Sequence, residues 1–192
     1  MRHFFALFSR MKHLDRWALM RNVSRENLSS HSLDVAAIAH ALALIGNRRL
    51  GKAYDANFAA ALGIYHDMPE ILTGDLPTPV KYYNGEIRGA YAQIERAAEN
   101  ALLGTLPEDL REDYRPLLQP DATAGEYKLM KAADKIAALI NCVEEKNGGN
   151  REFCLAEEST RRAIEALHCE EADIFLDEFL GSYEQVLDNI LK

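Results

Sequence analysis

The chain has 192 residues, of which 48% are hydrophobic and 27% charged. That balance excludes intrinsic disorder and a membrane-embedded class, and one domain over residues 1–192 with a full hydrophobic core is the default. Lys and Arg number 22 against 30 Asp and Glu, a net charge of −8, which opposes a broad basic face for a nucleic-acid polymer yet permits a local cationic pocket for a small anion.

The opening MRHFFALFSRMKHLDRW is broken by charge every few residues and carries no export signal; no apolar run approaches the ~18 residues of a membrane span. Cys142, Cys154 and Cys169 are odd in number and lack CxxC spacing, which favours a reducing, cytoplasmic setting. The Ala- and Leu-rich run Leu33 to Ile45 predicts a helix of about four turns, with Ser29 and Ser30 as candidate N-caps and Gly46 as its stop. A second helix is expected over Phe58 to Tyr65, ending at His66-Asp67 because Pro69 removes an amide donor. Ile71 to Gly85, with two prolines and two glycines, reads as a long irregular segment of the kind that often carries function. Apolar residues three or four apart predict further helices over Glu86 to Leu103, Pro107 to Leu118, Tyr127 to Glu145, Arg151 to Leu167 and Glu170 to Leu191. No strand alternation or repeat interrupts them, so the fold class is an all-α bundle.

A His-Asp dipeptide is weak evidence alone: six His and twelve Asp supply roughly 0.4 by chance. Its place at a proline-marked helix end strengthens it. Asp134 lies among Ala132, Ala133, Ile136, Ala137 and Ala138, where a carboxylate without a partner is expensive to bury, so it needs a cation. That cation could be Lys131 or Lys135 at helical spacing, or a metal ion. With His31 near the start of the first long helix, His31, His66, Asp67 and Asp134 make a two-His, two-Asp set suited to a mid-row divalent ion such as manganese, cobalt, iron or zinc.

The order His31, His66-Asp67, Asp134 on helices resembles the HD-domain metal-dependent phosphohydrolases. The flanking text, RWALMRN (Arg16 to Asn22), His31-Ser32, YHDMPEILTGDLPTPVKY (Tyr65 to Tyr82) and K-x-x-D (Lys131 to Asp134), is similar to the bacterial HD-domain 5′-deoxynucleotidases over nearly the whole chain. The resemblance implies an HD-domain helical bundle acting as a homodimer. It implies hydrolysis of deoxyribonucleoside 5′-monophosphates by a metal-activated water, with one divalent ion per subunit, cobalt first and manganese or another mid-row ion as alternatives. It makes His31, His66, Asp67 and Asp134 the metal ligands, with Asp67 and Asp134 also touching substrate. Glu70 becomes the essential acid, which would orient the water or relay its proton. Arg16 becomes a catalytic and substrate-binding residue gripping phosphate, Trp17 a wall that rejects a ribose 2′-hydroxyl, and Asp75, Leu76, Pro77 and Thr78 the lining of the sugar and phosphate site. Lys81 and Arg21 would add local positive charge.

Two departures bear on this. The family usually carries Glu immediately before its first ligand histidine; here Ser30 stands there and offers only a neutral hydrogen bond to orient the imidazole. Ile71 stands where related alarmone hydrolases carry a second acid, which argues against that activity. Other functions consistent with the residues are a phosphodiesterase or nucleotide polyphosphate hydrolase, and a nucleotide-sensing module without turnover.

Overall fold

The fold follows from one long apolar helix and the two that pack on it. A computed structural model describes residues 2–81 and 83–191, without the side chains of Thr78 and Leu187. The first long helix begins earlier and ends later than its Ala-Leu run suggests: α2 spans Leu28–Arg49, after a short α1 at Phe4–Phe8 and a 3-10 turn at Ser9–His13. Its N-cap is Asn27 rather than Ser29 or Ser30. The Asn27 Oδ1 accepts from the amides of Ser29 (3.0 Å) and Ser30 (3.1 Å), and the Ser30 hydroxyl faces the Asn27 amide at 3.2 Å. That reciprocal pair satisfies amides that a helix start otherwise leaves without partners. Gly46 does not stop the helix; its missing side chain instead makes room for the Tyr54 ring, since a Cβ there would lie 2.7 Å from Tyr54 Cε2.

α3, Ala56–Tyr65, is capped by Asp55 and ends where expected, before the turn at His66 to Pro69. The residues after it are less irregular than expected, since α4 (Glu70–Thr73) and α5 (Thr78–Lys81) interrupt them. α6 (Gly85–Gly104), α7 (Arg111–Leu118), α8 (Gly125–Asn147), α9 (Cys154–Glu165) and α10 (Glu170–Phe179) follow the predicted order. The last predicted helix, Glu170 to Leu191, divides into α10, a 3-10 turn and a short α11 at Leu187–Ile190. Among the described residues the only β-type pairing is an isolated bridge between Asp15 and Asn27.

Val35, Leu42, Leu62, Ile136 and Leu139, from α2, α3 and α8, are almost fully buried in one continuous core. Each such side chain contributes about 1.5–3 kcal/mol through removal from water. α2 is long and apolar enough by length and composition to resemble a membrane span, an amendment to the reading from sequence, but more than half of its most apolar stretch is buried against its neighbours. Gly63 lets α3 approach α2 closely, since a Cβ on it would fall 2.6 Å from the Ala36 backbone. A second, smaller core gathers Phe4, Met11 and Leu28 around Met68, Leu102 and Leu103. Met68 directly follows His66-Asp67, so that turn is held between the two cores.

The connection from Leu14 to Leu28 folds back on itself through bonds from Arg16 N to Glu26 O and Leu28 N to Leu14 O, both 2.9 Å. Glu145 of α8 pins its tip, accepting from the amides of Val23 and Ser24, each at 2.8 Å, and from Asn150 Nδ2 at 2.6 Å. Burial works against the Glu145 charge, but those donors outweigh it and hold its carboxyl below the ordinary range. Because the folded pKa lies below the unfolded one of about 4.3, this stabilisation is complete above that value and disappears as pH falls through the folded pKa. Glu145→Ala is expected to lower stability near neutral pH by about 2–3 kcal/mol. Urea melts of both proteins at falling pH check it: the gap should close in acid, and a constant gap would refute the assignment.

Candidate metal centre and substrate cleft

His31 enters the site from the first turn of α2, where the Asn27 cap fixes its position, and its side chain is fully buried. His66 and Asp67 come from the tight turn after α3, and Asp134 from the middle of α8. The three helices that build the main core therefore bring together all four metal-ligand candidates from the sequence. His31 Nε2 lies 3.1 Å from Asp134 Oδ1 and 3.8 Å from Asp67 Oδ2. His66 Nε2 lies 3.0 Å from Asp67 Oδ2 and 3.9 Å from Asp134 Oδ1.

His31, His66 and Asp134 each offer one donor atom, all within 4.8 Å of one another, a group that could hold a metal ion, and Asp67 Oδ2 stands beside both imidazoles. Ligands held about 2.0–2.2 Å from a shared ion stand roughly 3–3.6 Å from one another, close to the spacings observed. The other ring nitrogen of each histidine is engaged: His31 Nδ1 is 3.1 Å from Glu26 Oε1, and His66 Nδ1 is 2.8 Å from the Gly63 carbonyl oxygen. With Nδ1 donating, each Nε2 keeps its lone pair directed at the cluster. His66 Nε2 is buried and aligned with no hydrogen-bond partner despite its nearness to Asp67, a cost that a cation at the centre would remove.

Charge around the centre is arranged in layers. Burial penalises the Asp67 charge, but His66 and Arg16 outweigh this and hold its carboxyl well below the ordinary range. Asp134 is likewise held low, by His31 and Lys131 against burial. Burial opposes a proton on His31, yet its bonds to Asp134 and Glu26 raise it to about 9, so a proton and a metal ion compete for the same nitrogen. Lys131 Nζ stands 3.6 Å from Asp134 Oδ2. The lysine pairing and the metal-ligand geometry, set against each other in the sequence, thus coexist on the two carboxylate oxygens.

Arg16 and Trp17 both reach the site. Arg16 Nη1 is 3.0 Å from Asp67 Oδ2 and Nε 3.4 Å from Glu26 Oε2. Trp17 adopts φ 56, the left-handed region, which costs a non-glycine residue of order 1–3 kcal/mol. Its indole N–H donates to Glu26 Oε2 at 2.9 Å and its ring meets Phe153 edge-on at 5.2 Å between centroids. Arg16 and Trp17 line a cleft of about 770 Å³ together with Asp134, Asp75, Leu76 and Pro77. The volume lies within the range of small-ligand sites. The Thr78 side chain lies outside the described residues.

Glu70 starts α4. Burial, then the negative Asp67 and Asp75, push its carboxyl up to about 9 against Lys81 and Arg16, and its Oε2 is buried without a hydrogen-bond partner. Of two expected cationic contributors, one points elsewhere. Arg21 is exposed and pairs with Glu152 at 3.2 Å, because the loop tip is turned toward the 3-10 turn at Arg151–Phe153. Lys81 pairs with Glu95 at 2.6 Å and lies over the Tyr91 ring, yet its charge still acts on Glu70 and Asp75. Lys135 lines the cleft as well.

Sequence reasoning missed two contributors. The carboxylate that orients His31 is Glu26, five residues upstream, while Ser30 is occupied in the helix cap; the anticipated neutral partner at Ser30 is therefore not the one used. Part of the cleft lining comes from α9, through Ala156, Ser159, Thr160 and Ala163. Their three-to-four spacing is present in the sequence, but small residues on one helix face read equally well as packing.

Residues 3–183 match the 5′-deoxynucleotidase YfbR-like family. The chain is 50% identical to a 5′-deoxynucleotidase of Vibrio vulnificus (strain YJ016) over 189 residues, 98% of this chain and 97% of that one. It is similar in structure to an HD-domain phosphohydrolase from Listeria innocua, with a TM-score of 0.81 and 24% identity, covering 94% of this chain and 88% of that one. It is also similar to the cyanophage S-2L HD phosphohydrolase, bound to dA and one catalytic Zn2+ ion, with a TM-score of 0.62 and 18% identity, covering 92% of this chain and 96% of that one. The fold is thus the all-α fold of HD-domain phosphohydrolases, and by sequence the chain belongs to the YfbR-like 5′-deoxynucleotidase family.

Proposed function

We propose that this protein hydrolyses deoxyribonucleoside 5′-monophosphates to a deoxynucleoside and phosphate. The observation that carries the reading is the convergence of two imidazoles and two carboxylates beside the Arg16 guanidinium, with Arg16 and Asp134 lining a cleft of about 770 Å³, in a member of a family named for that activity. One divalent ion per subunit would be held by His31, His66, Asp67 and Asp134. When bound, it supplies Lewis-acid charge to the phosphate and makes water a better nucleophile.

The side chains then divide the remaining work. Arg16 is braced by Asp67 and Glu26 and presents its remaining N–H groups to phosphate oxygens, a planar match that strengthens as negative charge builds. Hydrolysis forms a bond from water oxygen to phosphorus while the bond from phosphorus to the 5′ oxygen breaks, and that oxygen must gain a proton. Glu70, whose carboxyl holds its proton to about 9, is the group to move one between the water and the leaving oxygen. Asp75, Leu76 and Pro77, with Thr78 on the strength of its motif, would line the sugar and phosphate. Cobalt as the ion, a homodimer and a cytoplasmic setting complete the reading, following the family resemblance.

Trp17 sets the choice of sugar. A fixed indole against the sugar would exclude a ribose 2′-hydroxyl by contact and leave it without a partner, a discrimination of about tenfold or more. The purified protein, loaded with cobalt or manganese, should release phosphate from 5′ deoxynucleoside monophosphates and much more slowly from 3′ or ribo isomers. Trp17→Ala should bring the rates on dAMP and AMP together. Equal wild-type rates on the two would refute the role of Trp17, and binding of dAMP without phosphate release under any divalent ion would favour the sensing module.

A further inference from the structure

We propose that Glu26 is the positioning residue of this site: one carboxylate that sets the His31 tautomer and holds Trp17, and so couples metal binding to sugar recognition. The proposal rests on the functional reading above. Its observations are geometric. Glu26 is only 10% exposed, with Oε1 3.1 Å from His31 Nδ1 and Oε2 2.9 Å from Trp17 Nε1 and 3.4 Å from Arg16 Nε. Each of its oxygens therefore faces a separate functional element: the imidazole that would ligate the ion, and the indole and guanidinium that would meet the nucleotide.

Chemistry makes the sharing obligatory. An indole N–H can only donate, and His31 must donate from Nδ1 if Nε2 is to offer a lone pair to a metal. Both bonds need acceptors, so Glu26 must present an acceptor at both ends, which only a carboxylate does. Backbone architecture holds it there: the Asp15–Asn27 bridge and the bond from Arg16 N to Glu26 O place residue 26 against residues 16 and 17 before the Asn27 cap begins α2. Trp17 is also held in left-handed backbone geometry, and its bond to Glu26, with the Phe153 ring contact and the bonds its carbonyl accepts from Met20 N and Asn22 Nδ2, offsets that local strain.

Glu26→Gln preserves shape and removes one acceptor. The amide oxygen can serve either His31 or Trp17, while the amide N–H₂ faces the other with a donor. Cobalt affinity, measured by competition with a chelating dye, is expected to fall about 10- to 100-fold, and the emission of Trp17, the one tryptophan of the chain, should shift. In a Trp17→Phe background the amide oxygen is released to His31, so the same Glu26→Gln change should cost several-fold less cobalt affinity. A merely structural role predicts equal losses in both backgrounds. Retained affinity and unchanged emission, or identical losses with and without the indole N–H, would overturn the proposal. Nitrogen NMR of zinc-loaded wild-type protein needs no variant: His31 should carry its proton on Nδ1, and a bare Nδ1 would overturn it equally. These readouts do not use turnover, so failure of dAMP hydrolysis would remove the functional reading while leaving the Glu26 coupling to be judged separately.

Discussion

Asp134→Ala is expected to leave a folded protein that retains no metal ion through gel filtration and whose kcat/KM on dAMP is lower by at least about a thousandfold. Asp134 brings a negative oxygen to within 3.1 Å of His31 Nε2 and reaches 3.9 Å from His66 Nε2, so its removal opens the donor set on the side that joins the two imidazoles. The fold should tolerate the change, because the residue sits in mid-helix among Ala132, Ala133 and Ile136, and alanine is the best helix former. Loss of one of two close carboxylates also relieves repulsion between Asp67 and Asp134. Wild-type protein should gain thermal stability when cobalt is added, since a ligand bound only by the folded state stabilises it, and the variant should gain none. Elemental analysis and paired thermal melts check this, and one tightly held ion per variant subunit would remove Asp134 from the centre.

Glu70→Gln should give the opposite pattern: full metal content, nearly unchanged KM, and kcat reduced by about a hundred- to ten-thousandfold. Gln has the size of Glu and can occupy the buried place of the Oε2 that lacks a partner, but it neither gives nor takes a proton at neutral pH. The contrast with Asp134→Ala separates a ligand from a proton carrier by metal content alone. Phosphate-release kinetics with dAMP give the test, and kcat within tenfold of wild type would exclude Glu70 from proton transfer.

Much of this was legible in the residues. Periodicity located the helices after Gly85, and Pro69 marked the end of α3. HDMPEILTGDLPTPVK was specific enough to lead to the family. What escaped depends on contacts between distant parts of the chain. Gly46 looked like a stop, yet Tyr54 packs beside it and the helix runs on to Arg49. The short helix and 3-10 turn between Phe4 and His13 have no strong period, and are held by Phe4 and Met11 inside the smaller core. Glu26 escaped for the same reason: five positions before His31 on no regular element, it becomes a site residue only when the loop closes on itself. Arg21 was misjudged because proximity in sequence to Arg16 said nothing about which way the loop tip faces.

Gly63 carries a consequence beyond packing. Its missing methyl lets two helices touch backbone to backbone, and its carbonyl oxygen then accepts a hydrogen bond from His66 Nδ1. The aim of an imidazole is thus written partly into an atom that is not there, three positions back along the chain. Damage to the chemistry can therefore arise at a residue that meets neither ion nor nucleotide, and inspection of charged and polar positions alone would pass over it.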